Sequence, residues 1–465
     1  MKRPCAAAGR CAGCATILAM TLTRKSHDPI APLIEAAQQQ LADRQLTGAA
    51  QTLAQAHRLA PRDARVHLAQ ALLHEAAGYL PQAHAAMEQT VALSPSWWMA
   101  RLAQASLLSR HADHAGAMQQ ARIVLQMAPN DGYALTSLLD MAHAAADLPF
   151  AIELLERLLA RQGIQPQPQP QLQLLLALAW DQTHLGRTAD ALQTWARLSQ
   201  LAPQAPQPRW ARLHLLRQAG DRQGLQAELA ALHSLAPDDP VVAHYTQWLA
   251  GQTPPTLPQV WLQWLGDAEA AHDDVRMQLR QGYALPRSLA AHLQTLFPQR
   301  RFDLLDLGCG TGLLGQHLGR IEGRCHGIDI APAMLQQASG RQVYDSLEQA
   351  EALDGLRAIG ARQFDCVAAL QLFPFIGDLQ PCLAQAARVL RPGGLLFFSI
   401  ETGAQDIAGL QPGGRYVHQP QQVLGLLRQA GFAHVRLRRQ TLLRHRHAGQ
   451  GDAVRGALVT AQMPV

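Results

Sequence analysis

The sequence predicts an all-α solenoid of repeated helix pairs, followed by an α/β domain whose sheet is mostly parallel. Three observations carry this prediction. Prolines recur every 34 residues through residues 27–250, apolar runs alternate with helical patterns from residue 302 onwards, and a glycine-rich turn joins the first of those runs to a helix. At 465 residues, the chain is also too long for one ordinary core.

The composition, 48% hydrophobic and 16% charged, is typical of a soluble globular protein. The net charge is +5, but the basic residues are dispersed, and no dense basic block with interleaved aromatics precedes residues 436–447. This pattern does not favour nucleic acid as a partner. No run approaches the roughly 18 apolar residues that span a bilayer, so we expect no membrane association. With seven cysteines, an odd number, we expect no disulfide framework and a cytoplasmic protein.

Residues 1–26 are expected to be a disordered N-terminal extension, and Met20 is a candidate for the true start. The stretch begins with basic residues, but its apolar core is too short and too alanine-rich for a signal peptide. Cys11 and Cys14 form a C-x-x-C pair, and no second pair is spaced to complete a structural zinc site. We therefore predict no metal.

The helical region carries its repeat in prolines and small residues. Five of the six marks are prolines, namely Pro61, Pro95, Pro129, Pro203 and Pro237; the mark near Gly163 lacks its proline and is followed by the Gln-Pro tract 165–170, which adds six residues. Twelve positions before each mark stand Ala49, Ala83, Ala117, Ala151, Ala191 and Leu225. Seventeen positions before it stand Gly78, Ala112, Ala146, Gly186 and Gly220. We expect the small residues to let paired helices approach closely and the prolines to end each second helix.

This pattern resembles the tetratricopeptide repeat (TPR), a 34-residue helix–turn–helix. About six units would fill residues 27–250, and an irregular alanine-rich bundle would not keep such a period. The resemblance implies a superhelix whose groove binds a protein partner or a protein substrate. The tryptophans of this region are either ligand anchors or core, and core is favoured. Residues 251–258 form a proline-rich linker, and 259–465 form the α/β domain.

Within the α/β domain the elements alternate. Residues 302–307 form a buried strand, and Gly308, Gly310 and Gly312 follow it before a helix. Asp306 lies at the end of this strand, and Asp329 ends the second strand about 20 residues on, where a ribose-binding acid is expected. We expect helices at 312–319, 332–339, 378–390 and 421–431, and strands at 325–330, 347–352, 364–370, 394–400, 432–441 and 454–463. A tight turn at 391–394 precedes the 394–400 strand, and residues 259–300 should cap the domain.

The stretch Asp306-Leu-Gly-Cys-Gly-Thr-Gly312 resembles the first motif of Rossmann-like class I S-adenosylmethionine (SAM)-dependent methyltransferases. It differs from the G-x-G-x-x-G spacing of nicotinamide-binding proteins. The resemblance implies SAM as cofactor, with Asp306 at its amino-acid end and Asp329 on the ribose. The remaining residues implied at the cofactor are Gly308, Cys309, Gly310, Gly312, Ile330, Met334, Glu351 and Leu370.

Over most of the chain the sequence resembles, more closely, the TPR-containing methyltransferases predicted in bacteria. The matching stretches include Gly327-Ile-Asp-Ile330, Tyr344-Asp345, Pro392-Gly-Gly394, Ser399-Ile-Glu401-Thr402 and Arg415-Tyr416-Val417-His418. The chain departs from that family at Gln371, where an acidic residue is usual, at Phe375, where tyrosine is usual, and around Trp264.

Three residues are candidates for catalysis, namely His418, Tyr416 and Gln371. His418 would take a proton from an acceptor hydroxyl, since the unperturbed pKa of histidine lies near neutrality; a solvated loop is the alternative. The sequence thus predicts a SAM-dependent methyltransferase with TPR repeats that recruit a protein or substrate. Two alternatives stay open, a TPR adaptor with an inactive SAM-binding domain and a small-molecule O-methyltransferase whose repeats serve assembly.

Overall fold

The computed structural model describes residues 28–162, 168–280, 282–403, 408–447 and 450–465. The extension predicted for residues 1–26 lies outside them. The chain divides into two compact units between Pro166 and Gln167. The second unit therefore contains the last helices of the repeat region together with the α/β domain. None of the helices in the described part is long and apolar enough to cross a membrane.

The described part of the first unit contains eight helices in four consecutive pairs. They are α1 (Ala31–Ala42), α2 (Leu46–Leu59), α3 (Ala64–Ala76), α4 (Leu80–Leu93), α5 (Trp98–Arg110), α6 (His114–Met127), α7 (Gly132–Ala144) and α8 (Leu148–Gln162). Each predicted proline stands two residues after a second helix, as Pro61 follows α2, so the predicted role of these prolines is confirmed. The arrangement is that of an all-α solenoid, and the TPR identity stays a prediction.

The two sets of small residues have different roles. Ala49, Ala83 and Ala117 are completely buried, as the predicted close approach of paired helices requires. The second set lies in the turns between helices with positive φ, +81° at Gly78 and +64° at Ala112. A Cβ placed on Gly78 would have nothing within 4 Å. We predicted that the residues of this second set are small so that paired helices can approach closely, and this explanation is wrong. The left-handed backbone conformation at these positions, and not a lack of space, favours small residues.

The second unit begins with five helices of the repeat region and continues with those of the α/β domain. They are α9 (Pro168–Leu185), α10 (Thr188–Leu201), α11 (Gln207–Gln218), α12 (Arg222–Leu235), α13 (Pro240–Leu249), α14 (Gln259–Glu269), α15 (Leu285–Leu296), α16 (Leu313–Leu318), α17 (Pro332–Gly340), α18 (Ala352–Ala358), α19 (Gln380–Val389) and α20 (Pro420–Gln429). A helical turn at Asp273–Val275 and a π-helical turn at Arg276–Arg280 follow α14.

The strands form one seven-stranded sheet and a small hairpin. They are β1 (Leu304–Leu307), β2 (Cys325–Asp329), β3 (Ser346–Gln349), β4 (Phe364–Ala369), β5 (Leu390–Glu401), β6 (Gly409–Leu410), β7 (Tyr416–Val417), β8 (His434–His447) and β9 (Gln450–Gln462). The sheet order is β3-β2-β1-β4-β5-β9-β8, and β6 pairs with β7. Strands β1 to β5 are parallel, and β9 runs antiparallel to both of its neighbours, β5 and β8, which confirms the predicted Rossmann-like fold.

The predicted tight turn at 391–394 is instead part of β5. Phe364 pairs with Leu390 and Cys366 with Leu395, so the extra residues form a bulge on the β5 side, with Gly393 at φ +72°. The strand order reverses between β1 and β4. In open parallel sheets such a reversal leaves a crevice at the carboxyl ends of the strands, where ligands bind.

The linker is held against the α/β domain. The Pro255 carbonyl accepts hydrogen bonds from the backbone N–H groups of Gly377 and Asp378, and the Leu257 N–H donates to the Phe375 carbonyl. Helix α14, directly after the linker, packs on α17 and on Ala331, the residue before it: a Cβ on Gly266 would lie 2.5 Å from that of Ala331. The linker and α14 therefore belong to the wall of the domain.

Five tryptophans join α14 to the repeat helices of the same unit. The ring of Trp264 lies 5.1 to 6.0 Å from those of Trp180, Trp195, Trp210 and Trp261, measured between centroids. Trp195 is completely buried. The tryptophans at 180, 195 and 210 are thus packing residues, in agreement with the favoured alternative.

Candidate functional site

A cavity of about 300 Å³ lies at the carboxyl ends of the strands, where the sheet order reverses. Most of the predicted site residues line it, namely Asp306, Gly308, Cys309, Gly310, Asp329, Ile330, Met334, Glu351, Leu370 and Gln371. The cavity matches the position expected for a ligand in this fold.

Asp329 organises the glycine turn. Its Oδ2 accepts a hydrogen bond from the Gly310 N–H at 2.8 Å, and its Oδ1 accepts one from the Ala331 N–H at 2.9 Å. Burial raises the pKa of this carboxyl despite these two donors. Each oxygen keeps a second lone pair, so the carboxylate can still accept hydrogen bonds from ligand hydroxyls.

Asp306 lies at the floor of the cavity, where Tyr344 supports it. The Tyr344 hydroxyl donates to Oδ2 of Asp306 at 2.7 Å. Burial raises the pKa of Asp306 to about 7, with help from the nearby Asp329 carboxylate, although the Tyr344 hydroxyl acts in the opposite direction. A cationic ligand group would favour the ionised form of this carboxyl.

Two of the three glycines, Gly310 and Gly312, have different roles. A Cβ on Gly310, at φ +53°, would have no heavy atom within 4 Å, so this residue faces open space. Gly312 has φ +82° and is the residue before α16; a Cβ there would lie 2.9 Å from the Tyr344 ring and 3.2 Å from the Ala338 Cα. Gly312 does not line the cavity, and it permits close packing of α16 and α17.

Glu351 and Met334 line the cavity from β3 and α17. Oε2 of Glu351 accepts from the Leu353 and Asp354 N–H groups, at 2.8 and 3.2 Å, and so caps α18. Met334 is 8% exposed and packs with Ile330 and Ala331. These residues give that side of the cavity an apolar surface with one carboxylate.

The opposite wall comes from α14 and the turn that follows it. Arg276 donates to Oε2 of Glu269 at 2.6 Å and to Oδ1 of Asp273 at 2.5 Å. Nε2 of His184, on α9, lies 3.0 Å from Oε1 of Glu269. Burial raises the pKa of Glu269, but Arg276 and His184 together outweigh it and lower the pKa to about 2. For Asp273, burial, with Glu269 nearby, prevails over Arg276 and raises the pKa.

A clasp joins this turn to the glycine turn. Thr311 donates through Oγ1 to Oδ1 of Asp274 at 2.5 Å, and Arg341 forms an ion pair with the same carboxylate. Arg341 also donates to the Thr311 carbonyl. The segment after α14 is thereby closed over the cavity.

Gln371 follows β4 with φ +58°, an unusual value for a residue other than glycine. Its backbone N–H donates to Oγ of Ser399 at 2.9 Å, and its Oε1 accepts from Arg415 at 2.7 Å. Arg415 also donates to Glu401 at 2.8 Å, and its guanidinium lies 4.9 Å from the centre of the Phe375 ring. Gln371 and Arg415 both line the cavity.

Tyr416 and His418 lie outside the cavity lining that the structure describes. The Tyr416 hydroxyl donates to the Pro254 carbonyl at 2.7 Å, and Nε2 of His418 lies 3.0 Å from the Phe373 carbonyl. Both side chains are buried, and burial lowers the pKa of His418. This geometry contradicts both the substrate contacts predicted from the sequence and the solvated loop, because both side chains are occupied with the backbone.

The sequence analysis missed the wall of Glu269, Asp273 and Arg276, and it missed Tyr344 as the partner of Asp306. Residues 259–300 were expected only to cap the domain. The one signal was the charge cluster Asp273, Asp274 and Arg276 directly after an amphipathic helix, which is unusual for a region that only covers a core.

The residues of the cavity fit SAM. Gly310 leaves an open cradle, Asp306 and Asp329 supply carboxylates for an ammonium group and for hydroxyls, and Ile330 and Met334 supply an apolar surface for a base. The role of each individual residue stays a prediction.

Comparison with known proteins gives matches to the α/β domain. Residues 305–398 match the family described as "Methyltransferase domain". The ubiquinone biosynthesis O-methyltransferase of Xanthomonas axonopodis pv. citri is 28% identical over 147 residues, which are 28% of this chain and 62% of that protein. The same enzyme of Xanthomonas oryzae pv. oryzae is 28% identical over 145 residues, 27% of this chain and 61% of that protein. The chain thus spans less than two thirds of these curated relatives.

Solved structures are more distant. The 1,6-didemethyltoxoflavin-N1-methyltransferase of Burkholderia thailandensis has 19% identity and a TM-score of 0.35, over 46% of this chain and 93% of that one. A SAM-dependent methyltransferase of Methanosarcina mazei has 16% identity and a TM-score of 0.30, over 37% and 97%. From the family match and the sheet together, the chain carries a class I SAM-dependent methyltransferase domain with SAM as its cofactor.

Proposed function

We propose that this protein transfers a methyl group from SAM to an oxygen of a small molecule. The observation that carries the proposal is the cavity at the strand-order reversal, which holds Asp306, Gly310 and Asp329 on one side and polar groups of α14 and β4 on the other. The names of the Xanthomonas relatives support an oxygen as the acceptor atom.

When bound, SAM supplies a methyl carbon already activated by its sulfonium. Asp306, Gly310 and Asp329 would hold SAM, and the polar groups on the other side of the cavity would hold the acceptor hydroxyl near that carbon. We assign acceptance of the hydroxyl proton to the Asp273 carboxylate, which lines the cavity and whose pKa is raised by burial. The clasp of Asp274, Thr311 and Arg341 excludes water from this step.

The helix pairs of residues 28–162 support a further part of the proposal, namely recruitment of a protein or a substrate by the repeats. They form a compact unit of their own, as a binding superhelix would. The adaptor alternative, in which the domain binds SAM without catalysis, rests on Gln371, which cannot act as the acid–base group usual at this position.

The test is transfer of labelled methyl groups from SAM to a panel of phenols by the full chain, with extraction of the methylated product. Wild type is expected to label at least one phenol, and Asp329→Asn to lose the activity. A folded protein that binds SAM and labels no phenol would favour the adaptor.

A further inference from the structure

The side-chain amide of Gln371 has only one orientation that its neighbours allow. Arg415 has donors and no acceptor, so the amide oxygen must face its guanidinium, as observed at 2.7 Å. Arg415 is itself held by Glu401 and by the Phe375 ring. The amide nitrogen therefore points away from this group.

That nitrogen has no partner. Nε2 of Gln371 is buried and lacks a hydrogen-bond acceptor among the described residues, while the residue lines the cavity. A buried donor without a partner is costly, and a ligand atom that accepts a hydrogen bond would remove the cost. The left-handed backbone of Gln371 is a second strained feature at the same point, and such strain concentrates at functional sites.

The position of Gln371 in the sheet indicates which ligand its amide N–H₂ contacts. The residues that fit SAM follow β1, β2 and β3, namely Asp306, Gly310, Asp329 and Glu351. Gln371 follows β4 and is anchored to Ser399 and, through Arg415, to Glu401, both on β5. Of the residues implied at the cofactor only Leu370 follows β4, so Gln371 lies beyond them, on the half of the cavity that remains for the methyl acceptor.

We propose that Gln371 determines acceptor specificity: its amide N–H₂ donates a hydrogen bond to a carbonyl or carboxylate oxygen that neighbours the methylated hydroxyl. This inference rests on the proposed function and adds the class of acceptor. An acceptor with a hydrogen-bond-accepting oxygen satisfies the amide, and an isostere without that oxygen leaves it unpaired.

The test uses two probes of similar shape, 2-hydroxyacetophenone and 2-ethylphenol, which differ in the carbonyl oxygen. Their affinities are measured by calorimetry on the full chain saturated with S-adenosylhomocysteine (SAH). We expect wild type to bind the ketone at least about tenfold more tightly. In Gln371→Met, the two affinities should become equal, with SAH affinity unchanged.

Gln371→Glu keeps the shape and the contact with Arg415 but removes the donor, so it should weaken ketone binding as well. Gln299→Met, at an exposed glutamine outside the cavity lining, is the matched control and should keep the tenfold preference. Equal affinities in wild type, or no ketone binding by protein that binds SAH, would overturn the inference and leave the proposed function standing. A folded wild type that does not bind SAH would overturn the proposed function itself.

Discussion

Nε2 of His184 lies 3.0 Å from Oε1 of Glu269, so a helix of the repeat region reaches the wall of the cofactor cavity. Glu269 is paired on its other oxygen with Arg276, which also lines the cavity. The repeat helices after residue 167 therefore support a wall of the cavity through this contact.

This contact predicts the effect of His184→Ala. The change leaves one oxygen of a buried carboxylate without its partner, which costs on the order of 1 to 3 kcal/mol and loosens Arg276. We expect weaker binding of SAH, by about tenfold, in a protein that stays folded. Calorimetry measures the affinity, and His233→Ala, at an exposed histidine of α12, is the control. Equal affinities in wild type and His184→Ala would show that α9 does not influence the site.

The raised pKa of Asp306 predicts a pH-dependent stability. Burial raises the pKa of this carboxyl to about 7 in the folded state, against the ordinary aspartate value of 3.8, so the group favours the folded state fully only below pH 3.8. Its contribution falls as the pH rises and levels off above pH 7. Asp306→Asn has no titratable group at this position and does not lose this stability. The melting temperature of the variant minus that of wild type should therefore increase from pH 5 to pH 8. Thermal melts at each pH measure the difference, and a constant difference would contradict the raised pKa.

Alanine at Gly310 and at Gly312 should have separable effects. Both changes force a Cβ into left-handed backbone, at roughly 1 to 2 kcal/mol. Only at Gly312 does the Cβ also collide with Tyr344 and Ala338, so Gly312→Ala should lower the melting temperature more. Gly310 faces the open cavity, so Gly310→Ala should weaken SAH binding more than Gly312→Ala does, although it lowers the melting temperature less. Thermal melts and calorimetry on both variants test this, and the opposite order would refute the assigned roles.

In the repeat region, Ala112→Gly should stabilise the protein. Ala112 has φ +64°, a left-handed conformation that is strained for alanine and not for glycine. The free energy gained by removing this strain exceeds the entropic cost of ordering a more flexible glycine by roughly 0.5 kcal/mol. The matched control is Ala117→Gly, at a completely buried helical position, which should destabilise by about 1 kcal/mol or more. Melting temperatures of the full chain give the comparison, and a lower value for Ala112→Gly would contradict the argument.

Local patterns in the sequence predicted most of the fold. The prolines marked the helix ends because they cannot continue a helix, and the apolar runs of β1 and β4 marked strands because these two strands are buried on both faces. The glycine turn and the two acids were found for the same reason, since their spacing is set by one strand–turn–helix unit.

The rest of the site depends on contacts between residues far apart in the chain. His184 and Glu269 are separated by 85 residues, Gln371 and Arg415 by 44, and Tyr344 and Asp306 by 38. No local periodicity encodes such pairs, because tertiary packing brings them together. Tyr416 and His418 were predicted to contact substrate because they are polar residues in a loop-like stretch of sequence. In the fold they are buried against the carbonyls of Pro254 and Phe373, and this long-range packing is not visible in the local sequence.

Calorimetry with SAM on the purified full chain measures whether the cavity of Asp306 and Asp329 binds this cofactor. We expect binding in the micromolar range by wild type and by Glu322→Gln, an exposed acidic residue distant from the cavity lining. Asp329→Ala should lose the binding, as should the more conservative Asp329→Asn if the alanine variant does not fold. A folded wild type without binding, or full affinity in both Asp329 variants, would contradict the account.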